Sequence, residues 1–343
     1  MLTYVLQRLF LLIPTFIGIT LVAFAVIHLA PGDPAELRAG GGLGAAGSGG
    51  LSTVGQSVVE EALTAWRAQY GLDRPLALQY GYWLRNLFTL QLGESFKDNQ
   101  PVWDKIAERL PVTIQLNAIS IGLIYLIAIP LGIYSATHTY SIGDQITTFF
   151  SFLLFALPPF WIGTLAIVFL CGGDFFDWFP PGNLQSIDYS PDWSWPRRLL
   201  DRAWHLFLPV VVLSYSGFAG LSRFMRSSML ENLRQDFVQT ARAKGLAERV
   251  VVYKHVLRNS LIPIITIMAS IIPGLISGSI IIETIFSIPG LGQLGYEAVL
   301  ARDYPILMAV FTISALLTLV SILISDLLLT LVDPRITFSG RRA

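Results

Sequence analysis

DFVQTARAKGLAERVVVYKHVLRNSLIP, Asp236–Pro263, lies between two long apolar segments and decides how the chain is organised. From Arg223 to Ser260 there are eight Lys/Arg against three Asp/Glu, in a chain whose formal net charge is zero. Lys/Arg-rich loops beside membrane spans stay in the cytoplasm, so this loop is expected there. Its first part reads as a short helix with both ends marked. Asp236 is placed to cap the start, Gln239 follows three residues later as in a capping box, and Gly245 suits a left-handed stop. Only Phe237–Lys244 lies between those signals, and isolated helices shorter than about 12 residues are marginal in water. Such a helix needs a surface to rest against, and a cytoplasmic partner is the natural one.

The composition around this loop is that of a polytopic membrane protein. Hydrophobic residues make up 53% and charged residues 13%, against roughly 25% charged in soluble domains. The mean hydropathy is +0.61. A single cysteine, Cys171, excludes an internal disulfide and any multi-cysteine metal site. Zero net charge gives no reason to expect nucleic acid as a partner.

Apolar runs long enough for about 20 residues per span fall at Leu9–Ala30, Val112–Ala136, Ile146–Leu170, Ala203–Ser222, Leu261–Phe286 and Ile306–Val332. The expected fold is therefore an all-α polytopic membrane protein with six transmembrane helices and both termini cytoplasmic. Loop charges agree. The connection Asp174–Asp201 carries five acidic residues against Arg197 and Arg198 and is expected outside, whereas the tail, with Arg335, Arg341 and Arg342, is expected inside. The loop Thr137–Gln145 has no Lys or Arg and takes its side from its neighbours. The first apolar run exceeds the h-region of a signal peptide and reads as a retained span.

Three regions follow: an amino-terminal segment with the first span (1–30), an outside connection (31–111), and a core holding spans two to six (112–343). In the outside connection, Ala39–Gly55 is Gly-rich, Val58–Tyr70 has helical apolar spacing, and Leu76–Leu92 reads as an amphipathic interfacial helix. The later outside connection carries Trp178, Trp193, Trp195 and Trp204, readable as an aromatic belt or as a surface for a soluble partner. Ser216 and Gly220, and likewise Ser270, Gly274 and Gly278, put small residues at four-residue spacing for close helix approach. Pro263 and Pro273 are expected to kink the fifth span.

Lys97, Lys105, Lys244 and Lys254 do not follow glycine, so no G-K-[ST] phosphate loop occurs. His28, His138, His205 and His255 are scattered without an H-E-x-x-H pair, and no G-x-S-x-G elbow occurs. These absences argue against enzymatic chemistry. Glu283 and Asp326 are the carboxylates inside the predicted spans, near their ends. A self-sufficient secondary transporter would carry more buried charge and an inverted repeat. An external energy source is the better reading.

With Ala241, Gly245 and the following L-I-P, the cytoplasmic loop resembles the EAA loop of ATP-binding-cassette importer permeases. Further segments resemble the dipeptide/oligopeptide (peptide/nickel) permease branch, its first membrane subunit in particular. They include QRLFLLIPTFIGITLVAFAVIHLAPGDPA (Gln7–Ala35), YGLDRPLALQYGYWL (Tyr70–Leu84), LGESF (Leu92–Phe96), ERLPVTIQL (Glu108–Leu116), HVLRNSLIP (His255–Pro263), ETIFSIPGLGQL (Glu283–Leu294), ARDYP (Ala301–Pro305) and DPRI (Asp333–Ile336). The chain departs from the general EAA pattern in having Gln239, Thr240 and Ala241 where that pattern has Glu-Ala-Ala.

The resemblance implies a type I importer permease fold, paired with a second homologous permease subunit. Two cytoplasmic ATPase subunits would bind ATP and Mg, none of it on this chain, and an extracytoplasmic substrate-binding protein would deliver cargo. The helix at Phe237–Lys244 would seat in an ATPase groove, with Asp236, Phe237, Gln239, Thr240, Ala241, Arg242, Lys244 and Gly245 forming the coupling element. Phe237 would be its apolar anchor, and Arg242 and Lys244 would face acids of the ATPase. Thr113, Gln115 and Asn117 on the second span, Ser214 and Ser216 on the fourth, and Glu283 are candidates for the pathway or its gate. Short peptides are the implied cargo, with nickel complexes, glutathione or another small solute as alternatives on the same architecture.

Overall fold

The computed structural model describes residues 2–29, 64, 73–172, 175–269, 272–275 and 278–332. The Gly-rich stretch Ala39–Gly55, the helix expected at Val58–Tyr70 apart from Thr64, and the basic tail lie outside the described residues. Among the described residues the chain is helical, without a named strand. The chain divides into two compact units, one of Met1–Arg109 with Leu294–Leu319, the other of Leu110–Gln293 with Val320–Ala343.

The first unit begins with α1 (Leu2–Leu29), a 28-residue helix carrying Pro14. The expected interfacial helix is α2 (Leu76–Phe88), ending a turn earlier than its apolar pattern. Thr20 and Tyr80 join α1 to α2 through their hydroxyls at 2.9 Å, and Tyr80 meets the edge of Phe24. Further on, Asp303 gathers a turn: its carboxylate accepts the hydroxyl of Ser95 and the backbone N–H of Phe96 at 3.1 Å. Two of the segments that carry the resemblance, LGESF and ARDYP, therefore meet at one buried carboxylate.

The second unit is built on α3 (Val102–Thr137) and α6 (Trp195–Leu233), of 36 and 39 residues. Between them the third apolar run is two helices rather than one rod. α4 (Ile142–Ala156) and α5 (Pro159–Leu170) meet at 95°. Pro158 and Pro159 supply no backbone donors, which ends the helix, and the Tyr215 hydroxyl donates to the stranded Leu157 carbonyl at 2.5 Å.

After α6 come α7 (Asp236–Ala243) and a helical run of α8 (Glu248–Val250), a π-helical turn (Val251–Val256) and α9 (Leu257–Ala269). The fifth apolar run is then interrupted. A 3-10 turn occupies Ile272–Leu275 before α10 (Ile280–Ile285), α11 (Leu291–Ala301) and α12 (Tyr304–Val332). The expected kink is a full break at Pro273, while Pro263 is accommodated inside α9.

Among the described residues, three helices are long and apolar enough to cross a membrane, or four if the bent α4–α5 pair counts as one span. They are α3, α6 and Tyr304–Asp326 of α12. The first and fifth expected spans correspond to α1 and to the broken α9–α10.

Two cores fill the second unit. One joins Met225 and Met229 of α6 to Val238 and Ala241 of α7, Val252 and Val256 of the π turn, and Ile264 of α9. The other joins Leu116 of α3 to Leu208 and Val212 of α6 and to Ile282 and Phe286 at the end of the fifth run.

Candidate functional site

The short helix α7 covers Asp236–Ala243, one residue earlier at each end than its sequence signals suggest. Asp236 occupies the first helical turn and Gln235 takes the capping position, without a side-chain cap. The carboxylate at the amino end still complements the helix dipole. Gly245 has φ +75, a conformation that favours glycine, and its N–H donates to Arg242 O at 2.9 Å.

A register of two faces follows. Val238 and Ala241, three apart, are buried in the core against the π turn. Phe237, Thr240 and Lys244, three and four apart, face outward, as do Asp236, Gln239 and Arg242. Phe237 keeps 37% of its surface exposed, an apolar ring with no core of its own to enter. The helix that is too short to stand alone therefore rests on its own chain through one face and offers the other.

Arg242 is partly spoken for. Its Nε donates to Glu248 Oε2 at 3.1 Å and its Nη2 to Oε1 at 2.5 Å, a two-pronged contact. The Arg242 hydrogen bonds hold the exposed Glu248 carboxyl below its ordinary range. That contact braces the turn at Gly245, leaving Lys244 as the cation of the outward stripe without a described ion pair.

Close by in sequence terms lies a cluster that charge counting missed. Arg226 of α6 donates through Nε to Asp144 Oδ1 at 3.0 Å and through Nη2 to Oδ2 at 2.9 Å. Ser135 of α3 also donates to Asp144 and accepts from Arg226 Nε at 3.0 Å, and the Tyr140 N–H reaches Oδ2 at 2.9 Å. Asp144 sits in the first turn of α4, and its side chain is 5% exposed against 30% for Arg226. One ion pair thus ties the ends of α3, α4 and α6. A lone acid in a loop without Lys or Arg was the available signal.

The six pathway candidates separate by burial. Thr113, Ser214 and Glu283 are fully buried, while Gln115, Asn117 and Ser216 are half-buried. Ser214 donates back to Val210 O at 2.6 Å and to Ser120 O of α3 at 3.1 Å, so it is a helix-to-helix contact. Gln115 Oε1 accepts from Arg202 Nε and Nη2 at 3.1 and 2.6 Å. Asn117 Nδ2 donates to Leu275 O at 3.2 Å, at the break in the fifth run.

Glu283 is wrapped. Its Oε1 accepts from Thr113 Oγ1 at 3.1 Å and its Oε2 from Gln293 N–H at 2.8 Å, at the start of α11. A Cβ on Gly290 would stand 2.3 Å from Glu283 Cδ, and one on Gly292 would stand 2.9 Å from Oε2. The glycines of ETIFSIPGLGQL are there because a carboxylate fills the space a side chain would take.

The Trp-rich connection before α6 is tethered to the same region. His205 Nδ1 lies 2.9 Å from Gly182 O, the Asn183 N–H donates to Phe286 O at 3.1 Å, and the Asp201 carboxylate accepts the N–H of Ser186 at 3.2 Å and its hydroxyl. Phe179, Trp204 and Phe207 form a cluster of rings, with Phe179 stacked on each of the other two at centroid distances of 4.5 and 5.0 Å.

Comparison with known proteins fits this architecture. Residues 128–338 match the family described as binding-protein-dependent transport system inner membrane component, and residues 1–117 match the corresponding amino-terminal family. An oligopeptide transport system permease protein, AppB of Bacillus subtilis, is 39% identical over 339 residues, covering 98% of this chain and 100% of the relative. A peptidoglycan transport system permease protein, YejB of Agrobacterium fabrum, is 38% identical over 360 residues, covering 98% and 99%. The dipeptide transport system permease protein DppB of Escherichia coli K12 is 34% identical over 351 residues, again covering 98% and 99%. With a short helix buried on one face and exposed on the other, a broken fifth apolar run and matches from end to end, the chain belongs to the inner membrane components of binding-protein-dependent transport systems.

Proposed function

We propose that this chain is the membrane-spanning subunit of an ATP-driven importer of short peptides. It crosses the membrane six times, with both termini in the cytoplasm. A second homologous permease completes the pathway, two cytoplasmic ATPases supply the energy, and an extracytoplasmic binding protein delivers the peptide. The observation that carries the reading is α7, buried through Val238 and Ala241 and offering Phe237, Thr240 and Lys244. A helix held this way transmits a push at its outer face directly into the core it shares with α6 and α9.

In this reading Asp236, Phe237, Gln239, Thr240 and Lys244 meet the ATPase, Ala241 provides the small contact to the core, and Arg242 and Gly245 shape the turn. Gln115, Asn117 and Ser216 are the pathway candidates. Thr113, Ser214 and Glu283 brace the helices that form it. The peptide cargo is supported by the relatives, which are permeases of oligopeptide and dipeptide transport systems. A peptidoglycan-derived peptide is a second reading, supported by the Agrobacterium relative at nearly equal identity.

Reconstitution of the chain with its partners in vesicles tests the reading. The expected result is uptake of a labelled short peptide that needs ATP and the binding protein. Competition by a peptidoglycan fragment but not by ordinary peptides selects the second reading. Uptake without ATP, by the chain alone, overturns both.

A further inference from the structure

The fifth apolar run stops being helical within the stretch expected to cross the membrane. α9 ends at Ala269, one 3-10 turn spans Ile272–Leu275, and α10 begins at Ile280. In hydrocarbon an unpaired backbone N–H or C=O costs several kcal/mol, so irregular backbone at that depth persists only against protein or beside a water-filled cavity. The two sides of this break meet different surroundings.

The far side is closed. A Cβ on Gly278 would stand 2.3 Å from the Gly292 nitrogen and 3.2 Å from Glu283 Oε1. Glu283 then fixes α10 to Thr113 and to the start of α11. The near side is open. Gly274 is exposed, and a Cβ built on it meets no atom of the described residues within 4 Å. Beside it, the Leu275 carbonyl is held by Asn117 Nδ2.

The break also falls between the two cores. Ile264 of α9 belongs to the core that includes α7, whereas Ile282 and Phe286 belong to the other. Among the described residues, the open turn is therefore a point in the fifth run where main chain is accessible, lying between the half connected to α7 and the half fixed by Glu283.

We propose that the surface formed by Gly274 and the Asn117–Leu275 contact touches the transported substrate, and that it takes the main chain of a short peptide. A glycine without a side chain admits a second backbone at close range. An extended peptide presents N–H and C=O groups at every residue, so main-chain contacts serve cargo of many side-chain types. Glycine- or proline-interrupted spans are also where other transporter architectures hold their substrates. This inference rests on the peptide-importer reading and adds the place where the peptide is held.

Cys171 is the only cysteine and is buried, so a Cys171→Ala background is free of competing thiols. Gly274→Cys and, as a control, Leu126→Cys on an outward-facing position of α3 are placed in the complete reconstituted importer. The probe is a small, charged, membrane-impermeant methanethiosulfonate, which reacts with thiolate and hence where water reaches. Gly274→Cys is expected to react roughly tenfold or more faster than Leu126→Cys, the equivalent of one pKa unit of thiol ionisation. Saturating transported peptide should slow that reaction severalfold, and a mixture of the free amino acids should not.

Equal rates at the two positions, or no protection by peptide, overturn the proposal. If Gly274→Cys does not assemble, Gly274→Ala replaces it and must raise the KM for peptide severalfold; an unchanged KM overturns the proposal equally. A wild-type complex that takes up no peptide refutes the cargo reading itself, which is a separate result from an unreactive Gly274→Cys in a complex that still transports.

Discussion

Thr113 and Glu283 meet across 170 residues of sequence, the hydroxyl donating to Oε1 at 3.1 Å while it accepts the Leu291 N–H at 2.8 Å. One side chain of α3 thus serves both a buried carboxylate and the start of α11. Thr113→Val keeps the shape and removes both contacts. It is expected to destabilise the purified protein by about 1–3 kcal/mol, the cost of leaving buried polar groups unpaired. Thermal unfolding in detergent checks this, and Thr113→Ser should restore most of the loss.

Gly290→Ala acts on the same carboxylate from the other side. Its methyl would stand 2.3 Å from Glu283 Cδ, so the carboxylate must move or the loop before α11 must open. The expected cost is about 1–3 kcal/mol from overpacking. Gly220→Ala, with open space at its Cβ, is the matched control and should leave unfolding unchanged.

The Asp144–Arg226 pair is largely sheltered from water on its acidic side. At neutral pH, Arg226→Met leaves Asp144 buried without its partner. A loss toward the lower end of roughly 3–5 kcal/mol is expected, because Arg226 keeps 30% exposure.

The two faces of α7 should separate in mutants. Val238→Asp places a charge in the core and is expected to destabilise the fold by several kcal/mol. Phe237→Asp alters an exposed ring and should cost less than about 1 kcal/mol while abolishing transport. Comparing unfolding with uptake for both variants shows whether the outward face carries function apart from fold.

Gly245→Ala is expected to cost roughly 1–2 kcal/mol, since φ is +75 there and an L side chain resists it. Gly245→Asn should cost less, because asparagine tolerates that region better. Hydrogen exchange of α7 amides reads the difference locally.

Much of this was legible in local sequence. Leu76–Phe88 followed its amphipathic spacing, α7 lay between its charge and glycine signals, and Gly245 turned left-handed as its position after a short helix required. Local signals were weaker where distant partners decide the outcome. Pro273 marked a kink, yet the break depends on Asn117, 158 residues from the carbonyl it holds. Pro158 and Pro159 were visible, but the 95° bend is supported by Tyr215, 58 residues away. Arg242 looked available to a partner because the two-pronged contact with Glu248 exists only once the Gly245 turn has folded back.

The most direct test of the account is affinity purification of the tagged chain from its own membranes, wild type beside Phe237→Asp. The account predicts that wild type brings a second permease and P-loop ATPases, and that Phe237→Asp keeps the permease and loses the ATPases. ATPases recovered undiminished with Phe237→Asp, or absent from wild type in a preparation that still imports, would contradict it.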